Sequence, residues 1–282
     1  MKCCFCGPVK NCAPFLDTVL KNIEKLGAIF EEYSIVLFYD HSTDNTLQKL
    51  QLYQMNQMLL KKSGKKLGKN IKIHIHINTT YVSLFRTHRI AHARNYCLAY
   101  IKKYLPDYLF VAMMDFDDPN CKKCNPLVLQ KYLNRDDWDA LSFNTSPAYY
   151  DIWGLSIYPF CFSYNHFRNN QQFYKIMQTY VTQKLNDLDV DDLLPCISSF
   201  NGFAIYRIAQ FANCYYDGRV RMDLVPRDFL KAHMVATSSP IIYKDYGHVK
   251  GRYEDCEHRA FHLQAINKNN AKIRISPEII FG

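Results

Sequence analysis

Two periodicities alternate along the chain. Short apolar runs, of strand length, recur between stretches whose apolar residues fall at helical spacing. Cys3 to Cys6 is a short apolar run closed by Gly7-Pro8. Pro14 then opens a helix, where its missing N–H costs nothing, and Phe15, Val19, Leu20, Ile23, Leu26 and Phe30 form its stripe. Ser34–Tyr39 is a β-branched and aromatic run that predicts a buried strand. The polar turn Asp40 to Asn45 leads into a second helix from Thr46 that carries Leu47, Leu50, Leu52, Met55, Met58 and Leu59. Ile71–Ile77 alternates strictly, so its isoleucines share one face. A third helix of about 18 residues is expected from Thr87, with Ile90, Ala93, Cys97, Tyr100, Ile101 and Tyr104 as its stripe and Arg89 and Arg94 flanking it on opposite sides. Pro106 ends it. Tyr108–Met114 is a continuous apolar strand that runs into Asp115-Phe116-Asp117-Asp118-Pro119.

The second half is less regular. Trp138–Phe143 reads as a strand, Tyr149 to Trp153 as an aromatic segment around Asp151, and Phe162 to Lys184 as a polar helix. Ser198 to Tyr206, which contains Asn201-Gly202, is a turn feeding a strand. Glu254, Asp255, Cys256, Glu257 and His258 open a helix that also carries His262. No repeat, low-complexity segment or linker divides the chain, so 1–282 is read as one domain, with 1–120 binding a donor-like ligand and 121–282 shaping a substrate pocket. Strands interleaved with helices imply a mainly parallel sheet with right-handed crossovers. Ligands then bind beyond the carboxyl ends of the strands. Two polar strand exits therefore matter most: Asp40, and Asp115 to Asp118.

Composition sharpens this picture. At 48% hydrophobic and 22% charged residues the 282-residue chain is globular, not disordered. Lys+Arg minus Asp+Glu is 35 − 26 = +9, which favours an anionic partner. Six lysines (61, 62, 65, 66, 69 and 72) share one stretch without an acid. That stretch has neither arginine nor interleaved aromatics, so it reads as a solvated loop and no nucleic-acid partner is expected. The cysteines number 11, an odd count, and no secretory signal precedes them. No apolar run approaches the roughly 18 residues of a membrane span. A reducing, cytoplasmic setting with free thiols is expected. Cys121-x-x-Cys124 lacks the second pair a zinc site needs and is read as free cysteines.

The carboxylates after the fourth strand carry the strongest chemical signal. Three acids within four residues repel one another unless a cation neutralises them. Hard oxygen ligands on one or two carboxylates, completed by substrate phosphates, suit Mg²⁺ or Mn²⁺. Asp40, with Ser42, Thr43 and Asp44, ends the second strand, where an acid accepts from a base N–H or a ribose hydroxyl while a later residue caps the next helix. Neither Gly-x-Gly-x-x-Gly nor Gly-Lys-Ser/Thr occurs, which argues against a dinucleotide oxidoreductase and a P-loop NTPase. Of Arg86, Arg89 and Arg94, an arginine at the ligand edge of the sheet would clamp a diphosphate. The alternative is a solvated helix end, which suits Arg86 better than Arg94. In the C-terminal cluster one acid is a candidate general base and one histidine a candidate metal ligand; surface charge plus a core histidine is the competing reading.

The order Val9-Lys10-Asn11-Cys12, Tyr39 to Thr46, Arg89-Ile90-Ala91-x-Ala93-Arg94-Asn95 and Asp115-x-Asp117-Asp118 resembles GT-A-fold glycosyltransferases that use a nucleotide-sugar donor. The Arg-Asn before an Asp-x-Asp strand is similar to fungal capsule-type and Anp1-type mannosyltransferases and to related enzymes of large DNA viruses. The resemblance covers residues 3–120 best, and later segments around Asp151, Asn201 and Glu257 look similar too. It implies an α/β, GT-A-like Rossmann-type sandwich and a metal-dependent hexosyltransferase taking a UDP- or GDP-sugar to a glycan, protein or lipid acceptor. It implies Asp40 on the base or ribose, with Val9, Asn11, Ser42, Arg89, Arg94, Asp115 and Phe116 around the donor. Asp115 and Asp117 would hold Mn²⁺ or Mg²⁺, joined by His258, with His248 and His262 as rivals. Asp255 or Glu257 would be the base, and Asp151, Trp153, Asn201 and Gly202 would meet the acceptor. Many such enzymes carry a membrane anchor; none is seen here, which points to the cytoplasm, or to virion or host cytosol for a viral protein. The other readings are a nucleotidyltransferase on a similar sheet, for which Gly7-Pro8-Val9-Lys10 is a poor glycine-rich loop, and a basic nucleic-acid or carbohydrate-binding module, which leaves the acid cluster unexplained.

Overall fold

A computed structural model describes residues 1–62, 71–161, 170–238 and 254–282. One eight-stranded sheet runs through it in the order β3-β2-β1-β4-β7-β5-β8-β6. The strands are β1 (Lys2–Val9), β2 (Glu32–Tyr39), β3 (Ile71–Ile77), β4 (Phe110–Met114), β5 (Ala140–Asn144), β6 (Leu194–Cys196), β7 (Phe203–Arg207) and β8 (Ile273–Ile279). β1, β2, β3 and β4 pair in parallel, as do β5 and β8. β7 runs antiparallel between β4 and β5, and β6 antiparallel on β8. The fold class is α/β with a mostly parallel central sheet, as the interleaved pattern predicts.

The helices are α1 (Ala13–Gly27), α2 (Thr46–Lys62), α3 (Arg86–Tyr104), α4 (Pro126–Tyr132), α5 (Asn170–Asn186), α6 (Arg227–Thr237) and α7 (Glu257–Asn269). Both faces of the sheet are covered. Phe5, Val9, Ile35 and Leu37 join the core under α1, while Cys4, Cys6, Val36 and Phe38 join the one under α3 and α7. Strands buried on both faces read as continuous apolar runs instead of alternating ones. That is why β2 and β4 were legible as such.

β1 runs past Gly7-Pro8, which was expected to close it. β4 pairs only as far as Cys6, so Pro8 has a hydrogen-bonding neighbour on the β2 side alone and a proline is tolerated there. Gly7 is required by close approach: a Cβ would lie 2.1 Å from the Met114 carbonyl oxygen. The expected helix from Phe162 begins, in the described residues, at Asn170; residues 162–169 lie outside them. So do residues 63–70 of the lysine stretch, and His248. Lys72 is an exposed β3 residue, 3.4 Å from Glu32. All eleven cysteines are free, and nine of them are buried. No helix of the described residues is long and apolar enough to cross a membrane.

Candidate active site

The carboxyl ends of β1, β2 and β4 and the start of α3 enclose a cleft of about 510 Å³, within the ~300–1,000 Å³ typical of small-ligand sites. Val9, Asp40, Arg89, Asp115, Phe116 and Asp117 line it, together with Lys10 and Arg86. Six of the expected donor and metal residues, far apart in sequence, thus share one wall. Val9, Asp40, Asp115, Phe116 and Asp117 end or closely follow the parallel strands β1, β2 and β4, and Arg89 comes from the first turn of α3.

Asp40 is held in place. Lys10 Nζ donates to its Oδ2 at 2.9 Å, and Asn78 Nδ2 and the His41 N–H donate to Oδ1 at 3.2 and 3.0 Å. Burial works against its charge, but these donors prevail and its carboxyl lies below the usual carboxylate value. It is an ionised acceptor at the edge of the cleft.

Asn11 and Ser42 serve the loops. The Asn11 N–H donates to Ser42 Oγ at 3.0 Å, and the Thr43 N–H donates to Asn11 Oδ1 at 2.8 Å. Asn11 takes a left-handed φ of 51°, which asparagine tolerates. Neither residue is part of the cleft wall. They lace the loop after β1 to the loop after β2 and so fix the height of Asp40.

Arg94 departs from expectation more sharply. With Arg89 it was expected at the donor, but it is buried and outside the cleft wall. Nη2 lies 3.0 Å from Asp115 Oδ1 and Nη1 lies 3.2 Å from Glu257 Oε1. Its guanidinium packs 4.3 Å from the Phe200 ring centroid. The apolar stripe it borders carries it inward, while Arg86 and Arg89, a turn or more earlier, reach the cleft. Arg89 Nη1 also donates to the carbonyls of Ser83 and Leu84 at 2.9 and 2.6 Å, which ties the loop before α3 to the cleft wall. Arg86, for which a ligand clamp and a solvated helix end had equal weight, is the cation whose field reaches Asp117 most strongly.

The acid pair is partly desolvated. Burial raises the Asp115 carboxyl to about 7, against the pull of Arg94 and with the push of Asp117. Burial raises Asp117 too, against Arg86. Asp117 Oδ1 is buried and has no hydrogen-bond partner. A buried acceptor without a partner is costly, and a cation is the partner a carboxylate cluster lacks. Asp118 is exposed and lies away from the pair, in the wall of a second pocket.

His258 is placed in the core. Its ring stacks on Phe200 at 3.9 Å, its Nδ1 is 3.4 Å from the Tyr206 hydroxyl, and burial keeps it neutral, with its pKa far below the usual histidine value. His262 is buried beside it, bonded to Tyr206 and Ser198. Among the described residues no group of three or more His, Cys, Asp and Glu side chains is arranged to hold a metal ion. His258 is thus not grouped with Asp115 and Asp117, and its buried Nε2 has no hydrogen-bond partner. Two carboxylates, with remaining positions from phosphate and water, suit a hard divalent cation.

The two candidate bases separate. Asp255 is buried against Arg259: Nε donates to Oδ2 at 2.8 Å, and the Cys256 N–H donates to Oδ1 at 2.8 Å. Both oxygens accept a hydrogen bond, which places Asp255 as the partner of Arg259; Asp255 and Glu257 are both buried, and neither lines either pocket. Glu257 instead shares Arg94 with Asp115, and burial raises its carboxyl above the usual value.

Two of the expected acceptor residues are supports. Asn201 Oδ1 accepts from the N–H groups of Tyr150 and Asp151 at 2.9 and 2.8 Å, and its Nδ2 donates to the Phe143 carbonyl at 2.7 Å. Gly202 has φ 81°, and its carbonyl accepts from the Asp115 N–H at 2.9 Å. Together they join the Tyr150–Asp151 segment to the end of β4. Asp151 Oδ1 accepts from the Gly154 N–H at 2.9 Å, and the Trp153 carbonyl accepts from Arg259 at 2.7 Å. None of the four lines either pocket. Lys10, Asn78 and Tyr150 line the two pockets without having been expected there. Lys10 had a signal, as the one cation beside Val9 at a strand exit. Tyr150 sat between quoted residues, with nothing to favour it over Tyr149.

No protein-family model matches the chain, and no curated protein matches it. Solved structures do. TarS 1–349 of S. aureus in complex with UDP is similar at 14% identity and a TM-score of 0.49, over 100% of this chain and 59% of that one. The mannosyltransferase PcManGT of Pyrobaculum calidifontis, in complex with GDP-Man and Mn²⁺, is similar at 14% identity and a TM-score of 0.40, over 77% of this chain and 47% of that one. Glucosyl-3-phosphoglycerate synthase of Mycobacterium tuberculosis, with Mn²⁺, UDP and glucosyl-3-phosphoglycerate, is similar at 12% identity and a TM-score of 0.38, over 76% and 59%. The chain thus spans 47–59% of the length of these three. Likeness at that level carries no functional argument, which must come from the residues of the cleft.

Proposed function

We propose that the chain is a divalent-metal-dependent glycosyltransferase that moves a sugar from a nucleotide-sugar donor, a UDP- or GDP-sugar, to an acceptor hydroxyl. The observation that carries this reading is the unpartnered buried oxygen of Asp117 beside Asp115, in a cleft that the ionised Asp40 also lines. An acceptor for base or ribose at one end and a carboxylate pair at the other span the two ends of a nucleoside diphosphate.

In this reading Asp40 accepts from the base or a ribose hydroxyl, held by Lys10 and Asn78. Arg86 and Arg89 face the diphosphate and offset its charge. Asp115 and Asp117 hold Mn²⁺ or Mg²⁺, which when bound stabilises the charge of the departing nucleoside diphosphate. Arg94 orients Asp115 from behind and opposes the effect of burial on its charge. Glu257 takes the acceptor proton, because it is the C-terminal acid joined to the same arginine. Residues 1–120 form the donor half and 121–282 the acceptor half of one unit.

A thermal-shift screen of UDP-, GDP-, CMP- and dTDP-sugars with and without Mn²⁺ tests the reading, since a ligand of the native state raises the melting temperature. A shift with one nucleotide that requires Mn²⁺ is expected. No shift with any of the four overturns it.

A further inference from the structure

α2 has two apolar faces. Leu50 is fully buried, and Leu47 and Tyr53 pack against the same core. On the opposite side Leu52, Met55, Met58 and Leu59 are 52–56% exposed. At about 100° per residue these four share an arc of about 120°. Among the described residues no other helix carries more than two exposed large apolar side chains. The helix cannot turn this stripe inward. Tyr53 Oη and Gln57 Nε2 donate to Glu24 Oε1 on α1 at 2.9 Å each, and Gln54 Nε2 donates to the Ile73 carbonyl at 3.0 Å. A fixed apolar ridge on the outer surface marks an interaction site.

We infer that this face of α2 docks on the surface of an anionic lipid bilayer. The stripe enters the headgroup region, and the positive charge that follows it in the chain is drawn to the anionic lipids. The inference does not depend on the glycosyltransferase reading.

Charge decides the occupant. α2 ends in Lys61 and Lys62, Lys65, Lys66 and Lys69 follow in the sequence, and no acid occurs between Thr46 and Ile77. Much of the chain's +9 excess is thus next in sequence to the one helix with an exposed apolar face. An apolar helix face beside clustered lysines is the pattern of segments held at anionic membrane surfaces. A second copy of the chain brings the same apolar and basic surface, with no acid on the helix to meet the lysines. Residue type disfavours a protein partner. The cores of protein interfaces are enriched in arginine and aromatic residues and depleted of lysine, whereas the stripe is leucine and methionine and the run holds no arginine. The lysine ammonium is a strongly hydrated point charge, which suits a wet headgroup layer. Docking leaves the cleft open. α2 starts at Thr46, at the cleft end of the sheet, and carries the stripe back toward the opposite end, where β3 begins.

Co-sedimentation of the full chain with lipid vesicles tests this. Vesicles of phosphatidylcholine with about 30% phosphatidylserine are compared with phosphatidylcholine alone. Binding to the anionic vesicles is expected to be at least tenfold tighter and to weaken as salt rises. Two variants separate the components. Leu52→Gln, Met55→Gln and Leu59→Gln together remove the ridge; Lys61→Gln, Lys62→Gln, Lys65→Gln and Lys66→Gln together remove the charge. Each is expected to weaken binding at least tenfold, with a thermal melt showing that the fold is kept. If the apolar variant melts early, Leu59→Gln alone is read, with a threefold loss expected. Equal binding to both vesicles, binding to neither, or a loss in only one of the two variants overturns the inference. So does a concentration-dependent dimer in sedimentation velocity that the apolar variant abolishes, which assigns the face to a second copy. Binding to polyglutamate without binding to vesicles overturns it too, and assigns the face to an acidic protein.

Discussion

Arg94 lies between Asp115 and Glu257, 3.0 Å from the first carboxylate and 3.2 Å from the second, with all but 3% of its side chain buried. One guanidinium from α3 therefore links the end of β4 to the start of α7. The Gly218 carbonyl makes a parallel link, accepting from Thr87 Oγ1 and from the Asp255 N–H at 2.9 Å each. The relative placement of the two acids is thus a property of α3 and its partners, not of either acid's own segment.

Arg94→Ala leaves Glu257 buried without its cation. Removing one partner of a buried pair costs about 3–5 kcal/mol. Chemical denaturation is expected to show a loss of that size. A loss below about 1 kcal/mol would mean that solvent reaches the pair and that Arg94 does not set it.

The two neighbouring C-terminal acids are expected to fail differently. Glu257→Gln lowers turnover with donor affinity kept, the pattern of an interaction lost in the transition state. Asp255→Asn acts on stability, because it breaks the pair with Arg259. Steady-state kinetics beside thermal melts separates the two, and unchanged turnover in Glu257→Gln removes that residue from the proton-accepting role.

Asp117→Asn keeps the shape of the side chain and removes its charge. Mn²⁺-dependent nucleotide binding is expected to fall by at least tenfold, about 1.4 kcal/mol, with the melting temperature of the apo protein unchanged or raised as a repulsive charge is lost. Calorimetry with equal affinity in the variant would refute the metal assignment.

Asp217 gives the pH dependence. Arg219 donates to it from its backbone N–H, Nε and Nη2 at 3.0, 2.9 and 2.7 Å, and Arg221 Nη1 at 3.2 Å. Burial opposes its ionisation, but the arginine bonds prevail and its pKa lies below the ordinary value. A lowered folded pKa stabilises the native state above the unfolded value of about 3.9 and loses that contribution as pH falls through the folded value. Asp217→Asn is expected to lower stability at pH 7 by about 1–2 kcal/mol, the smaller end favoured because Arg219 is half exposed. The difference from the unmodified chain should vanish by about pH 2. A difference that persists there would show a packing effect instead of a charge effect.

Six of the eight strands and the two polar exits are legible in the sequence. β2, β4 and the alternation of β3 are written in local composition, because a strand buried on both faces needs apolar residues throughout, and an acid directly after such a run has nowhere to sit but the sheet edge. Asp40, Asp115 and Asp117 were legible for that reason. β6 and β8 were not: β6 is three residues long with a proline inside it, and Pro277 interrupts the Ile273/Ile275 alternation of β8. The tertiary structure alone decided which charges face inward. Arg94 borders the apolar stripe of its helix and Arg86 does not, but the acids that neutralise Arg94 lie on β4's exit and α7, and Asp255 and Glu257, two apart in sequence, are told apart only by the arginines packed against them. Burial there is set by contacts over 100 residues away in sequence, such as Arg259 with the Trp153 carbonyl. A local pattern carries the periodicity of an element, but the partner that neutralises a buried charge lies on another element, and it is that pairing that sorts the acids and arginines into their roles.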